Sequence, residues 1–190
     1  MSNGRGLTPI RFGTDGWRAV IADQFTFANL ERVAQAYADY LLQQHPALTE
    51  ESLTRQLVEA GQISEHEAED GLFRNVIGGA AEQAQPSLVV VGYDRRFLSE
   101  KFAERAAEVL AGNGLRVALF PEAVPTPVVS WAVKLNGALG GVVITASHNP
   151  GEFNGFKIKA PWGGSASPEI TAAVEALLDS NAPRRKSVHV

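Results

Sequence analysis

Two periods of hydrophobic and polar positions run along this chain. Leu30, Val33, Ala34, Tyr37 and Leu41 recur at helical spacing. Thr26 stands ahead of them as an N-cap, and Phe25 and Leu30 are spaced as a hydrophobic staple. Upstream, two apolar stretches flank Gly13-Thr14-Asp15-Gly16, and the glycines predict a tight turn between paired strands. Three short runs, "SLVVVGY" (87–93), "LRVALF" (115–120) and "GGVVIT" (140–145), are apolar at nearly every position. Such runs are strands buried on both faces. A helix over 99–112 separates the first two, with Ser99 as its cap and Phe102, Ala106, Val109 and Leu110 facing inward. A helix from Thr126, with Pro127 in its first turn, separates the second and third. Its inner face is read as Val128, Trp131, Ala132 and Leu135, and Asn136-Gly137 ends it.

The strand, helix, strand, helix, strand order predicts a parallel sheet covered on both sides. "NGFKIKA" (154–160) follows so short a loop that it runs antiparallel to its predecessor, and Ser167-Pro168 opens a last helix carrying Ile170, Val174, Leu177 and Leu178. The fold class is α/β: a three-layer α/β/α domain over 1–182 with a mixed, mainly parallel sheet. Residues 45–85 read differently. Thr49 and Ser64 are N-caps, Ser64 with Glu67 forms a capping box, and Gly61 is a C-terminal stop. This is a helical hairpin inserted into the domain. After Asn181 the apolar pattern stops, and 183–190 reads as a linker cut short.

Composition narrows the function classes. With 190 residues, 45% hydrophobic and 20% charged, the chain suits one globular domain. No apolar run approaches the roughly 20 residues of a membrane span. The N-terminus has no apolar signal core, so the expected compartment is the cytoplasm. Cysteine is absent, which removes disulfides and thiolate chemistry. A net charge of −4 argues against a nucleic-acid footprint, and any anionic substrate needs a locally cationic pocket.

Open parallel sheets bind ligands beyond the C-terminal ends of their strands. Three loops lie there: "GYDRRFLSE", "PEAVPTP" and "TASHNPGEFNG". Ser147 is the exposed candidate nucleophile, although a serine beside Asn and Pro also serves as a turn residue. His148 is a poor base for its immediate neighbour, because adjacent side chains in extended backbone point apart. His45, His66 and His189 lie in the insertion and the tail, and no G-x-S-x-G elbow surrounds Ser147, so a Ser-His hydrolase is disfavoured. Phosphate chemistry fits better. Arg18, Arg95, Arg96, Lys157 and Lys159 gather at this edge, and phosphate oxygens take such forks and point charges. Asp15 and Asp94 beside them are candidate structural ion-pair partners. No P-loop is present, and no spaced His or carboxylate cluster makes a complete metal site.

In order, "FGTDGWR", "GYDRRFLS", "TASHNP" and "NGFKIK" resemble the first domain of the α-D-phosphohexomutases, the phosphoglucomutase and phosphomannomutase group. The resemblance covers about 10–182, apart from the insertion. It implies that Ser147 carries a phosphoryl group, with His148 and Lys157 assisting proton transfer and neutralising charge. Asn149 shapes the loop, and Arg18 and Arg96 support the loop or bind phosphate. The implied cofactors are Mg²⁺, bound through the Ser147 phosphate, and a hexose 1,6-bisphosphate as activator and intermediate. The implied partners are a hexose phosphate substrate and domains II–IV of the same polypeptide, whose metal, sugar and phosphate motifs are missing here. On this reading the chain is an N-terminal phosphoserine domain without turnover of its own. The alternative is a stand-alone phosphosugar-binding or regulatory module. Which hexose phosphate is used is not legible.

Overall fold

The computed structural model describes residues 9–48 and 87–188. The expected helical hairpin, beyond its first four residues, lies outside the described residues. The elements are β1 (Gly16–Val20), α1 (Phe27–Gln44), a 3₁₀ turn (Pro46–Leu48), β2 (Leu88–Tyr93), α2 (Ser99–Gly112), β3 (Arg116–Leu119), α3 (Thr126–Leu135), β4 (Gly140–Ile144), β5 (Phe153–Lys159) and α4 (Pro168–Ala176).

The sheet order is β1-β5-β4-β2-β3. β2 pairs in parallel with both β3 and β4, whereas β5 runs antiparallel to its neighbours β4 and β1. Four of the five strands therefore run in one direction and β5 runs against them. The sheet is mixed and mainly parallel in strand direction, with two parallel and two antiparallel pairings. Alternation along β2 explains its unbroken apolar run. Val89, Val91 and Tyr93 join one core with α1, α2, Ile144, Phe156 and Ile158. Val90 points the other way, into a smaller core with Val129, Val133 and Val143. Helices α1, α2 and α4 thus cover one face, and α3 covers the other.

At the entry to α1, Thr26 accepts a hydrogen bond from Asn29 N through its side chain, and the staple residues Phe25 and Leu30 are both fully buried. Phe25 also stacks on Trp17 at 4.7 Å and meets Phe102 edge-on at 4.8 Å. That triad ties β1, α1 and α2 together.

Three local expectations are corrected. Residues 9–12 and β1 do not form a hairpin. Gly13 N does donate to Gly16 O at 2.7 Å, but β1 pairs with β5 from Gly16↔Lys157 to Val20↔Phe153. The upstream segment docks on α4 instead, with Ile10 buried and Phe12 N donating to Glu175 Oε2 at 2.5 Å. Gly16 is required at the pairing: a Cβ there would lie 2.0 Å from Phe156 O. Second, the inner face of α3 is Val129, Ala132 and Val133, while Trp131 and Leu135 are 64% and 62% exposed and Val128 is at the surface. Glycines decide this. A Cβ on Gly92 would meet Val129 Cγ2 at 2.4 Å and one on Gly141 would meet Val133 Cγ2 at 2.7 Å, so α3 sits too close to the sheet for an indole. Third, Ser99 does not cap α2. Leu98 precedes the helix with φ +59°, and the Ser99 hydroxyl is committed elsewhere.

Beyond α4 the chain is held. Arg32 on α1 forms a two-pronged pair with Asp179, both contacts at 2.7 Å. Asn181 Nδ2 donates to Asp39, Arg184 N donates to Gln35 and Lys186 N donates to the Glu108 carbonyl, so residues 181–186 lie along α1 and α2. The hydrogen bond from Arg32 holds the Asp179 carboxyl below the ordinary aspartate value. A lowered native pKa means that the contribution is complete above the ordinary value and is lost as pH falls through the lowered one. Asp179→Asn, which tolerates the positive φ of that position, is therefore expected to lower stability at neutral pH and to shrink the difference from wild type on acidification below about pH 4. Urea midpoints measured down the acid range check this.

Candidate functional site

Sheet order places the candidate site. β2 is connected to β3 by α2 on one face, and β4 arrives from β3 by α3 on the other. The crevice between the C-terminal ends of β2 and β4 is thus the topological switch point, where open α/β sheets bind ligands. The loops there are 94–98 and 145–152.

Ser147 is exposed at the tip of the second loop and has φ +58°, a left-handed conformation that costs a non-glycine residue about 1–2 kcal/mol. Loop bonds offset that cost. Asn149 N donates to Ala146 O at 3.1 Å, and Ser147 N donates to Thr145 Oγ1 at 3.0 Å. The first loop supplies the strongest clamp. Arg96 Nη1 donates to the carbonyls of Pro150 (2.7 Å) and Phe153 (3.0 Å), and Nη2 donates to those of Ser147 (2.9 Å) and Asn149 (2.6 Å). Its Nε faces Asp94 Oδ2 at 3.3 Å. The planar fork is consumed by backbone, so Arg96 holds the serine loop in this state.

Arg95 is exposed on the first loop, and the remaining cations stand on β1 and β5. The pairing Arg18↔Gly155 and Gly16↔Lys157 puts Arg18 and Lys157 on one face, opposite Phe156 and Ile158 in the core. Asp15 sits between them: Lys157 Nζ lies 3.0 Å from Oδ2 and Arg18 Nη2 lies 3.1 Å from Oδ1. Two cations share one carboxylate, which leaves local positive charge. Lys159 adds to it. It is 7% exposed, and its pKa is held below the ordinary lysine range by burial first and by the Lys157 ammonium second, against the pull of Asp15. Gly155 matters at this crowding point, since a Cβ would lie 2.6 Å from Thr145 O and 2.9 Å from Arg18 Cγ.

The structure therefore brings Ser147, His148, Asn149 and Arg96 together in one clamped loop system, and Arg18 and Lys157 together through Asp15. His148 is exposed beside Ser147, and its ring has no hydrogen-bond partner among the described residues. Asn149 buries its Oδ1 without a partner among the described residues. His45 closes the C-terminus of α1 and takes no part in the loop.

Sequence reasoning did not single out Thr145 or Asn154, and it misread Ser99. Asn154 Nδ2 donates to Ser99 Oγ at 2.9 Å while its Oδ1 accepts from Gly155 N. The available signals were a threonine two residues before the candidate serine and an aspartate directly after a buried strand.

Known proteins share this fold. A family model described as phosphoglucomutase/phosphomannomutase, alpha/beta/alpha domain I, matches residues 55–185. The probable phosphomannomutase of Haemophilus influenzae is 40% identical over 116 residues, 57% of this chain and 24% of that protein. The probable phosphoribomutase of Schizosaccharomyces pombe is 33% identical over 177 residues, 90% of this chain and 24% of its own length. A crystal structure from Thermus thermophilus superposes with TM-score 0.72 at 37% identity, covering 96% of this chain and 32% of that one. The chain thus spans about a quarter of the length of these curated relatives.

Proposed function

Because the chain belongs to the phosphoglucomutase/phosphomannomutase family, matching its α/β/α domain I, we propose that Ser147 carries a phosphoryl group passed to and from hexose monophosphates. The observation that supports this most is the exposed Ser147 hydroxyl, held out in a left-handed turn by the four-carbonyl clamp of Arg96.

In the transfer, the bond between phosphorus and Ser147 Oγ breaks while a sugar hydroxyl oxygen forms a new bond to phosphorus. The hydroxyl proton leaves to a base, and Ser147 recovers a proton. His148, exposed next to the loop, is the group proposed to move that proton. The product is a hexose 1,6-bisphosphate, and return of its other phosphate to Ser147 yields the isomer. A transferring phosphoryl group needs positioning and charge neutralisation more than covalent activation. Lys157 and Arg18 supply the positive charge, and Asp15 fixes their positions.

Mg²⁺ belongs to the family reading, but the donor set here does not complete a site for it. Among the described residues no group of three or more His, Asp and Glu side chains could hold a metal ion. The Ser147 phosphate would be a single oxygen ligand, short of an octahedral shell. No step is derived through the ion. Its remaining ligands and the choice among sugar phosphates are assigned to domains II–IV of a longer polypeptide.

The test is phosphopeptide mapping after incubation with glucose 1,6-bisphosphate and Mg²⁺, with Ser147→Ala in parallel. Phosphate on the peptide containing Ser147, absent from the variant, is the expected result, while glucose 1-phosphate alone stays unconverted. An unmodified serine in a chain that still binds the bisphosphate would overturn transfer in favour of the binding module.

A further inference from the structure

Four donor groups converge on one carboxylate at the switch point. Asp94 Oδ1 accepts from Arg96 N and from Ser99 Oγ, both at 2.9 Å. Asp94 Oδ2 accepts from Thr145 Oγ1 at 2.5 Å and faces Arg96 Nε at 3.3 Å. Ser99 in turn accepts from Asn154 on β5. One side chain therefore joins the end of β2, the start of α2, the end of β4 and, through Ser99, β5.

The Thr145 bond has a forced direction. An ionised carboxylate only accepts, so the single hydroxyl proton of Thr145 goes to Asp94 and its lone pairs are left for other donors. The donor that takes them is the Ser147 amide at 3.0 Å. Thr145 itself does not depend on the loop for its place. It is 4% exposed, and its own amide donates to Gly155 O across to β5 at 3.0 Å. A fixed hydroxyl thus grips the amide of a residue whose φ of +58° directs its side chain outward.

We propose that Thr145, oriented by Asp94, is a positioning residue for phosphoryl transfer at Ser147: its hydroxyl fixes the Ser147 amide and with it the direction of the Ser147 hydroxyl. This rests on the reading of Ser147 as the phosphoryl carrier. Arg96 and Thr145 divide the work, the first binding carbonyls on the outer side of the loop and the second binding the amide at its root. Without the hydroxyl, the Ser147 amide loses the bond at its root, the Asn149–Ala146 bond and the Arg96 clamp are left to hold the turn, and Oγ is less firmly directed. A misplacement of about 1 Å at a reacting atom lowers rates by as much as roughly 10²-fold.

The experiment compares wild type, Thr145→Val and Thr145→Ser by two readouts: the Ser147 amide resonance with its HN–Hα coupling, which reports φ, and the rate of Ser147 phosphorylation by glucose 1,6-bisphosphate. Valine keeps the β-branched shape and removes the hydroxyl; serine keeps the hydroxyl. Thr145→Val is expected to shift the Ser147 amide and its coupling and to slow phosphorylation by about tenfold or more, with bisphosphate affinity little changed and some thermal stability lost where Asp94 Oδ2 is left without the hydroxyl. Thr145→Ser is expected to restore both readouts. A valine variant with wild-type rate and amide, or a serine variant as slow as valine, overturns the proposal. If wild type takes no phosphate at Ser147, the transfer reading fails separately, and the amide data alone decide: an unmoved Ser147 amide in Thr145→Val overturns the positioning role.

Discussion

Arg96→Ala is expected to lower stability by about 2–4 kcal/mol and to abolish phosphorylation of Ser147. The guanidinium makes four hydrogen bonds to carbonyls of the loop and faces Asp94. Charge-assisted bonds of this kind contribute about 1.5–3 kcal/mol each when fully buried, and less here because water replaces part of the loss at the loop surface. Removal also leaves the Asp94 carboxylate without its cationic partner. Ser147 then loses the support that offsets its left-handed backbone. Arg96→Lys is expected to recover only a minor part, since a point charge on a flexible stem cannot reach four carbonyls in one plane. Urea unfolding gives the stability change, and phosphopeptide mapping gives the functional one. A fully phosphorylated Arg96→Ala chain would show that the clamp is dispensable.

Phe25→Ala is expected to cost about 3–5 kcal/mol, a large fraction of the roughly 5–15 kcal/mol by which domains are stable. The ring is fully buried between Trp17 on β1 and Phe102 on α2, and it also closes the staple against Leu30. Alanine leaves a cavity that three separate elements would have to move together to fill. The melting temperature should fall by about 10 °C in a chain of this size. Trp17 neighbours Arg18, so the same variant should also loosen the Arg18–Asp15 pair. Calorimetry of the two chains checks the first effect. A change under about 1 kcal/mol would mean that the triad is not a keystone of this core.

The central β-α-β-α-β run was legible because each strand is apolar on both faces, and only a sheet covered on both sides buries such strands. The antiparallel β5 followed from the shortness of its loop. What could not be read were choices among partners. The turn at Gly13–Gly16 is visible locally, but turn chemistry does not say which strand β1 will pair with. β5 wins because Gly16 lets the two backbones approach closely at Phe156 and Lys157. On α3, helical spacing predicts an inner face of Val128, Trp131, Ala132 and Leu135, but spacing alone does not fix which side of the helix meets the sheet. Gly92 and Gly141, distant in sequence, select the smaller valines instead.

The candidate site divides in the same way. Ser147, His148 and Asn149 are adjacent in sequence, and their loop was visible as polar residues after a buried strand. The sharing of Asp15 between Lys157 and Arg18 depends on the β1–β5 register. The convergence on Asp94 depends on three strands and a helix start meeting at one carboxylate, and no periodicity reports such a meeting. Ser99 shows the limit most clearly: serine at a helix start suggests a cap, yet its hydroxyl serves Asp94.

The most direct measurement of the central claim is discharge of a phosphoserine encoded at position 147. The phosphorylated chain is offered glucose 1-phosphate or glucose 6-phosphate with Mg²⁺ and followed by ³¹P NMR, with inorganic phosphate and free glucose as controls. In the single transfer open to this domain without turnover, the phosphoserine signal is predicted to decline slowly while glucose 1,6-bisphosphate appears in equal amount, with no change in either control. A phosphoserine that persists beside bound sugar phosphate, or one that decays only to inorganic phosphate, would contradict a phosphoryl carrier at Ser147.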